Sequence, residues 1–305
     1  MSSKAEVEWD ARAYHRLGNP QHAWAQRVLE RLLGRLRGDE VVLDAGCGSG
    51  RVTAEILERA PGVRVIALDR SENMLEVAQA LLSPRFGARV SFACADLASL
   101  FVRGASPPRH PPETRLMELR SSLDDNHQGS AEERSSMSLD FDELADVVFS
   151  TATLHWVTDH PRLFSNLRRA LRPGGRLVAQ CGGGPNLARL LARAEPLLNS
   201  EPLSAYLAGM PRLWEFADDA TTARRLAEAG FVDIETSLEP EPTVLRDERE
   251  YSEFLGTVVL GRHLARVPDP ELRAQLVESL VRMAASDDPP WSLDYWRLNL
   301  AATKP

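Results

Sequence analysis

The run VVLDAGCGSG at residues 41–50 admits few folds. Its opening, Val41, Val42 and Leu43, is too short and too β-branched for a helix and reads as a buried strand. Asp44 closes the apolar part. Gly46, Gly48 and Gly50 then let the backbone turn sharply and approach a ligand with no Cβ in the way. Beyond them Val52, Ile56 and Leu57 recur at helical spacing, so residues 51–59 are expected to form the first crossover helix. Strand, glycine turn and helix N-terminus together make a site for a polar ligand in an α/β sheet. A dinucleotide fingerprint needs G-x-G-x-x-G. Counted from Gly46 and Gly48 the third glycine position holds Arg51, and counted from Gly48 and Gly50 it holds Thr53, so neither register fits that ligand.

The same alternation continues along the chain. Asn19-Pro20 reads as an N-cap and first-turn proline, opening a helix to about residue 37, and Gly38-Asp39 turns into the first strand. Residues 63–69 form a second buried strand, and Ser71 caps a helix over 72–82 with Leu75, Ala78 and Leu82 on its apolar face. Residues 90–94, 145–150 and 176–180 supply three more strands. A helix capped near Asp159 runs from His160 to Leu171 and stops at Arg172-Pro173-Gly174-Gly175. Short apolar strands alternating with helices predict a parallel sheet. Residues 185–216 read as helical, 221–229 as a helix closed by Gly230, and 231–234 as a strand. Helical stretches at 249–263 and 269–285 precede a last strand near 296–300. That is too much helix for two sheet connections, so these stretches are expected to form a cap with 185–216.

Three regions are therefore expected: an N-terminal helical arm over 1–38, a ligand-binding core over 39–182, and a helical cap with the last strands over 183–305. Residues 102–139 interrupt the core with Pro107-Pro108, Pro111-Pro112, many serines and few large apolar residues. They are expected to be a flexible insertion without a core of its own. The net charge of −8 speaks against a nucleic-acid surface. No apolar run of 18 residues and no signal-peptide core is visible, so a cytoplasmic protein away from membranes is expected. Cys47, Cys94 and Cys181 fall in or just after strands and read as buried small apolar residues, not as bridges or metal ligands. No metal is expected, and a monomer or weak homodimer is.

Chemistry concentrates at the strand ends. Asp69 ends the second strand and lies on the crevice edge shared with the glycine loop, where a carboxylate can accept from both hydroxyls of a ribose. The alternative is a cap for the helix that starts at Ser71. Asp96 follows the third strand, where it can accept from an exocyclic amine while Leu97 covers the ring. Three successive strands thus end in an acid at one edge.

Taken in series, these features resemble the class I S-adenosylmethionine-dependent methyltransferases over about residues 40–182. The resemblance rests on Leu43-Asp44-Ala45-Gly46-Cys47-Gly48-Ser49-Gly50, on Leu68-Asp69 followed by Ser71-Glu72-Asn73-Met74-Leu75, and on Ala95-Asp96. It also rests on Ala145-Asp146-Val147-Val148-Phe149-Ser150 and Leu171-Arg172-Pro173-Gly174-Gly175-Arg176-Leu177. The stretch from Thr151-Ala152-Thr153-Leu154-His155-Trp156 through Val157-Thr158-Asp159-His160 is similar to the trans-aconitate and malonyl-carrier-protein methyltransferases, and the 102–139 insertion is a departure not associated with either group. The resemblance implies an α/β, Rossmann-like, seven-stranded, mostly parallel sheet with helices on both faces and a C-terminal helical cap. It implies S-adenosylmethionine as cofactor, with Asp44 toward the ammonium group and Gly46, Gly48 and Gly50 around the amino-acid tail. It places Asp69 on the ribose, and Arg70, Met74, Asp96, Leu97 and Ser150 around the rest.

A sulfonium methyl is already electrophilic, so alignment and exclusion of water are the main tasks. An acidic small molecule, methylated on a carboxylate oxygen by direct displacement, needs no base at neutral pH. A hydroxyl or amine acceptor would need one, and His155 is the candidate. Tyr14, Trp156, Arg262 and Arg297 are the candidate substrate contacts, the arginines for an acid. Trp9, Tyr14 and Trp24 either fold over the cofactor or pack against the sheet. Transfer to a hydroxyl, amine or carrier-bound acyl group, and a non-catalytic cofactor-binding module, stand as alternatives.

Overall fold

The computed structural model describes residues 19–100 and 141–305. Trp9, Tyr14 and the 102–139 insertion lie outside the described residues. Seven strands form one sheet: β1 (Val41–Ala45), β2 (Arg64–Asp69), β3 (Val90–Cys94), β4 (Ala145–Thr151), β5 (Leu171–Gly182), β6 (Val232–Pro240) and β9 (Trp296–Thr303). Their order is β3-β2-β1-β4-β5-β9-β6. β1 to β5 run parallel, and β9 runs antiparallel to both β5 and β6. The order reverses between β1 and β4, and that switch opens a crevice beyond their C-terminal ends. Two-residue strands β7 (Thr243–Val244) and β8 (Ser292–Leu293) pair separately.

The strands read as unbroken apolar runs because both sheet faces are covered. Neighbouring residues go to opposite sides: Val42, Val147 and Phe149 pack on one face, Leu43 and Val148 on the other. The first face is covered by α1 (Asn19–Leu33), α2 (Arg51–Arg59) and α3 (Glu72–Phe86), through Val28, Leu29, Ile56, Leu57, Ala78 and Leu82. The second is covered by α4 (His160–Ala170) and α7 (Asp219–Glu228), through Leu163, Phe164, Leu167 and Leu226. Ser71 and Asp159 cap α3 and α4, accepting from the amides of Met74 and Arg162.

A second apolar cluster gathers α5 (Ala188–Leu198), α6 (Leu203–Leu207), α8 (Glu248–Phe254) with the π turn Leu255–Val259, α9 (Gly261–Leu264) and α10 (Pro270–Ala284). Leu190, Tyr251, Phe254, Leu276 and Leu280 fill it. Trp24 of α1 joins this cluster, edge-on to Tyr295 at 4.7 Å, and not the sheet face expected for it. Arg193 grips Asp287 with both terminal nitrogens at 3.0 and 2.6 Å, tying α5 to the end of α10. Among the described residues no helix is long and apolar enough to cross a membrane.

Three local expectations are corrected. Leu171 does not end α4 but opens the 12-residue β5, and Arg172 to Gly175 bulge out of that strand between the pairs Ala145–Leu171 and Val147–Arg176, with Gly174 at φ +74°. Lys304 holds the bulge in place: its N–H donates to Gly175 O, its carbonyl accepts from Gly174, and its ammonium donates to Leu171 O. Residues 210–218 are extended, not helical, because Gly209 at φ +72° ends the helical path and Pro211 follows. Of the three free thiols Cys181 is buried, Cys47 half-buried and Cys94 exposed, since β3 is the sheet's edge strand.

Phe149 is fully buried on the central β4. Phe149→Ala is expected to cost about 3–5 kcal/mol through lost burial and an unfilled cavity. Guanidinium unfolding should show a lower midpoint at an unchanged slope, and an unchanged midpoint would contradict this placement of the core.

Candidate active site

A cavity of about 390 Å³ opens at the crevice where the strand order reverses. Its floor is the glycine loop after β1. Gly46 adopts φ +87° and Gly48 φ +54°, a region L side chains avoid. A Cβ on Gly46 would fall 2.2–2.6 Å from the Thr153 side chain, so only glycine lets the β4 loop close down here. Gly48 meets nothing on its Cβ side, leaving its backbone bare toward a ligand. The amides of Gly46 and Cys47 both donate to Leu68 O, which fixes the loop on the end of β2.

Asp69 lines the cavity and accepts from Gly48 N and Ser71 N, each at 2.9 Å. Burial raises its pKa, while these two amides pull the other way. Each oxygen keeps a lone pair for a hydroxyl. Asp96 also lines the cavity and accepts from Ala98 N at 2.8 Å, with Leu97 beside it. Arg70, Met74, Trp156 and Arg262 complete the sequence-predicted residues that meet on this wall.

The remaining candidates lie elsewhere. Asp44 is under the loop, 2% exposed, accepting from Thr53 Oγ1 at 2.6 Å. Burial pushes its carboxyl up to about 7, the Thr53 hydrogen bond opposing and the nearby Asp69 charge adding to it. Gly50 opens α2 against Ala78 and Leu82 of α3, and so serves helix packing. Ser150 Oγ donates to Ala45 O at 2.6 Å, clipping β4 to β1. Tyr14 lies outside the described residues.

His155 is not on the cavity wall as expected of a base. Its Nδ1 accepts from Gly182 N at 3.2 Å, which takes the ring's lone pair and leaves the proton on Nε2. Burial, with the Arg297 charge behind it, holds its pKa well below the ordinary histidine range. Arg297 is also withdrawn from the cavity. It is 2% exposed, lies 4.2 Å from the Trp24 ring centroid and 4.9 Å from that of Tyr295, and donates to Asn186 Oδ1 at 2.6 Å.

The extended strap 210–217 adds residues that helical reading passed over. Pro211, Arg212 and Leu213 line the cavity. Glu215 N donates to His155 O at 2.8 Å, and Ala217 O accepts from Gly184. Trp214 stacks on Phe216 and contacts both Trp156 and His263, joining the strap, the β4 loop and α9. The available signal was period two: Leu213, Glu215 and Ala217 are buried, while Trp214 and Phe216 are half-buried.

Residues 17–236 match the family described as "Methyltransferase domain". The chain belongs to this family. It is a class I methyltransferase, and its methyl donor is S-adenosylmethionine. The methyltransferase is 25% identical to an uncharacterised methyltransferase of Schizosaccharomyces pombe over 98% of this chain and 99% of that one. It is 29% identical to a trans-aconitate 2-methyltransferase of Methylobacterium radiotolerans over 57% of this chain, a match spanning 49% of that relative's length. A phosphoethanolamine N-methyltransferase 2 of Haemonchus contortus, solved with phosphomonomethylethanolamine and S-adenosylhomocysteine, shares the fold. It aligns over 97% of this chain and 57% of its own, with TM-score 0.54 and 20% identity. The donor set suits such a cofactor: bare glycine backbone, a carboxylate with spare lone pairs, and an acceptor beside an apolar wall.

Asp44 makes stability depend on pH. Its folded pKa of about 7 exceeds the ordinary value of about 3.9, so the folded state holds this proton more tightly. The resulting stabilisation is complete below pH of about 4 and is lost as pH rises through about 7. Asp44→Asn, which mimics the protonated form, is expected to flatten the fall in unfolding midpoint between pH 4 and 7. Parallel pH profiles for variant and wild type would contradict it.

Proposed function

We propose that this methyltransferase transfers the methyl group to a carboxylate oxygen of a small acid. The observation that carries the reading is the pair of guanidinium groups, Arg212 and Arg262, on the cavity wall beside Trp156. The lone pair of His155 is meanwhile turned to Gly182 and away from any acceptor. An acid is ionised at neutral pH and needs no base, whereas a hydroxyl would. The trans-aconitate 2-methyltransferase likeness supports the same class of acceptor.

In this reading the chain's residues bind, orient and exclude water. Asp69 accepts from the ribose hydroxyls with the lone pairs its two amide contacts leave over. Asp96 accepts from the adenine amino group, with Leu97 and Met74 against the ring and Arg70 at the same wall. The loop of Gly46 and Gly48 cradles the amino-acid tail, and Asp44 supports that loop from beneath through Thr53. When bound, the donor supplies a sulfonium methyl that a carboxylate oxygen would attack from the side opposite sulfur, the O–CH3 bond forming as the S–CH3 bond breaks, leaving S-adenosylhomocysteine. Trp156 and Leu213 cover the carbon skeleton of the acid and keep water away, while Arg212 and Arg262 hold its charge. The strap 210–217 and α9, with the loop after β4, form the acceptor side of the site, and the ends of β1 to β3 the donor side.

Calorimetry with S-adenosylhomocysteine is expected to give a saturable heat, and none at high micromolar ligand would sink the donor assignment. Asp69→Ala should weaken that binding by about 1–3 kcal/mol through lost hydrogen bonds to a charged acceptor. Unchanged affinity would remove Asp69 from the ribose. A methyl-transfer screen across carboxylic acids, phenols and amines should give products from acids. Activity confined to amines would overturn the acidic acceptor.

A further inference from the structure

Glu215 divides its carboxylate between two guanidinium groups in opposite surroundings. Oε1 accepts from Arg225 NH1 at 2.9 Å, and Oε2 accepts from Arg212 NH1 at 2.8 Å. The Glu215 side chain is 11% exposed and that of Arg225 21%, whereas Arg212 is 66% exposed and lines the cavity. Arg225 NH1 also donates to His160 Nδ1 at 3.1 Å, and His160 Nε2 then donates to Leu154 O at 3.3 Å. Burial and the Arg225 guanidinium hold His160 down to about 4, so it is neutral and does not offset the arginine. Two guanidinium groups share one carboxylate, and the trio carries one net positive charge. The buried half is fixed from α7 through Arg225 and from the β4 loop through Glu215 N to His155 O. The surplus charge therefore falls at Arg212, on the half that faces the cavity.

Resting on the acidic-acceptor reading, we propose that Arg212 is a specificity-determining residue. It takes a second, non-reacting carboxylate of the acceptor, with Glu215 and Arg225 as positioning residues that aim it. The preferred substrates are then di- or tricarboxylates in place of simple fatty acids. An isolated exposed arginine would lose rotamer freedom on binding an anion. Here Glu215 holds one nitrogen of the fork in advance, leaving the other N–H groups for the substrate. Trp156 and Leu213, on the same wall, flank the space the carbon skeleton would fill.

The test uses the full-length enzyme with two acceptor probes, trans-aconitate with three carboxylates and crotonate with one. KM and kcat are measured for each, together with the S-adenosylhomocysteine affinity of every variant. Arg212→Gln is expected to raise KM for trans-aconitate by about tenfold or more, and for crotonate by far less, with kcat for trans-aconitate largely kept. Arg212→Lys should recover part of that loss, since it restores the charge without the fork. Glu215→Gln should raise the trans-aconitate KM by about threefold, again with kcat kept, whereas a purely structural role would lower kcat for both acids. Equal KM changes for the two acids, or none, would overturn the role of Arg212 while leaving the acidic reading intact. Methylation of neither acid by a wild-type enzyme that binds S-adenosylhomocysteine would remove the acidic reading and this proposal together.

Discussion

The carboxylate of Asp69 holds two backbone segments at once. One oxygen receives the amide of Gly48 in the glycine loop, and the other the amide of Ser71 at the start of α3. Through that single side chain the end of β2 fixes the floor of the cavity and the helix beside it. Gly46, Gly48 and Gly50 alternate through the loop and have no side chains to set its shape, so a partner from the next strand helps to do it. Burial makes the charge costly, and the two amides offset that cost. The cavity floor is consequently shaped before any ligand arrives, which is the condition under which binding energy is not consumed in ordering a flexible loop.

Across the cavity the organisation differs. The opposite wall depends on side-chain contacts between distant segments: the strap 210–217, the loop after β4, and α9. Trp214 holds these three together by ring contacts, and Glu215 by charge. Backbone geometry governs the glycine-loop floor and side-chain chemistry the strap wall.

That division decides how much was legible in the sequence. The strands, the caps at Ser71 and Asp159, and the wall residues Asp69, Asp96, Leu97 and Trp156 follow from local spacing and from the rule that parallel strands end at one edge. His155 was legible as a position but not as a geometry, because the amide that takes its lone pair belongs to Gly182 at the far end of β5. Arg297 reads like a surface anchor until Trp24, 273 positions earlier, is found beneath its guanidinium. Arg172-Pro173-Gly174-Gly175 has every mark of a turn, and Lys304, more than a hundred positions on, holds it as a bulge within β5. Arg212 carries no signal at all without Glu215 and Arg225 around it.

β6 and β9 lie side by side and antiparallel, with Pro240 opposite Trp296, and β7 and β8 continue that pairing outward. Everything between them, including α8, α9 and α10, leaves and re-enters the sheet at points about one strand spacing apart, roughly 5 Å. A segment entering through so narrow a neck can be lengthened, shortened or exchanged at small entropic cost. The sheet would register nothing. Over evolutionary time such a neck lets α9, and with it Arg262 on the cavity wall, change while the glycine loop and Asp69 stay as they are.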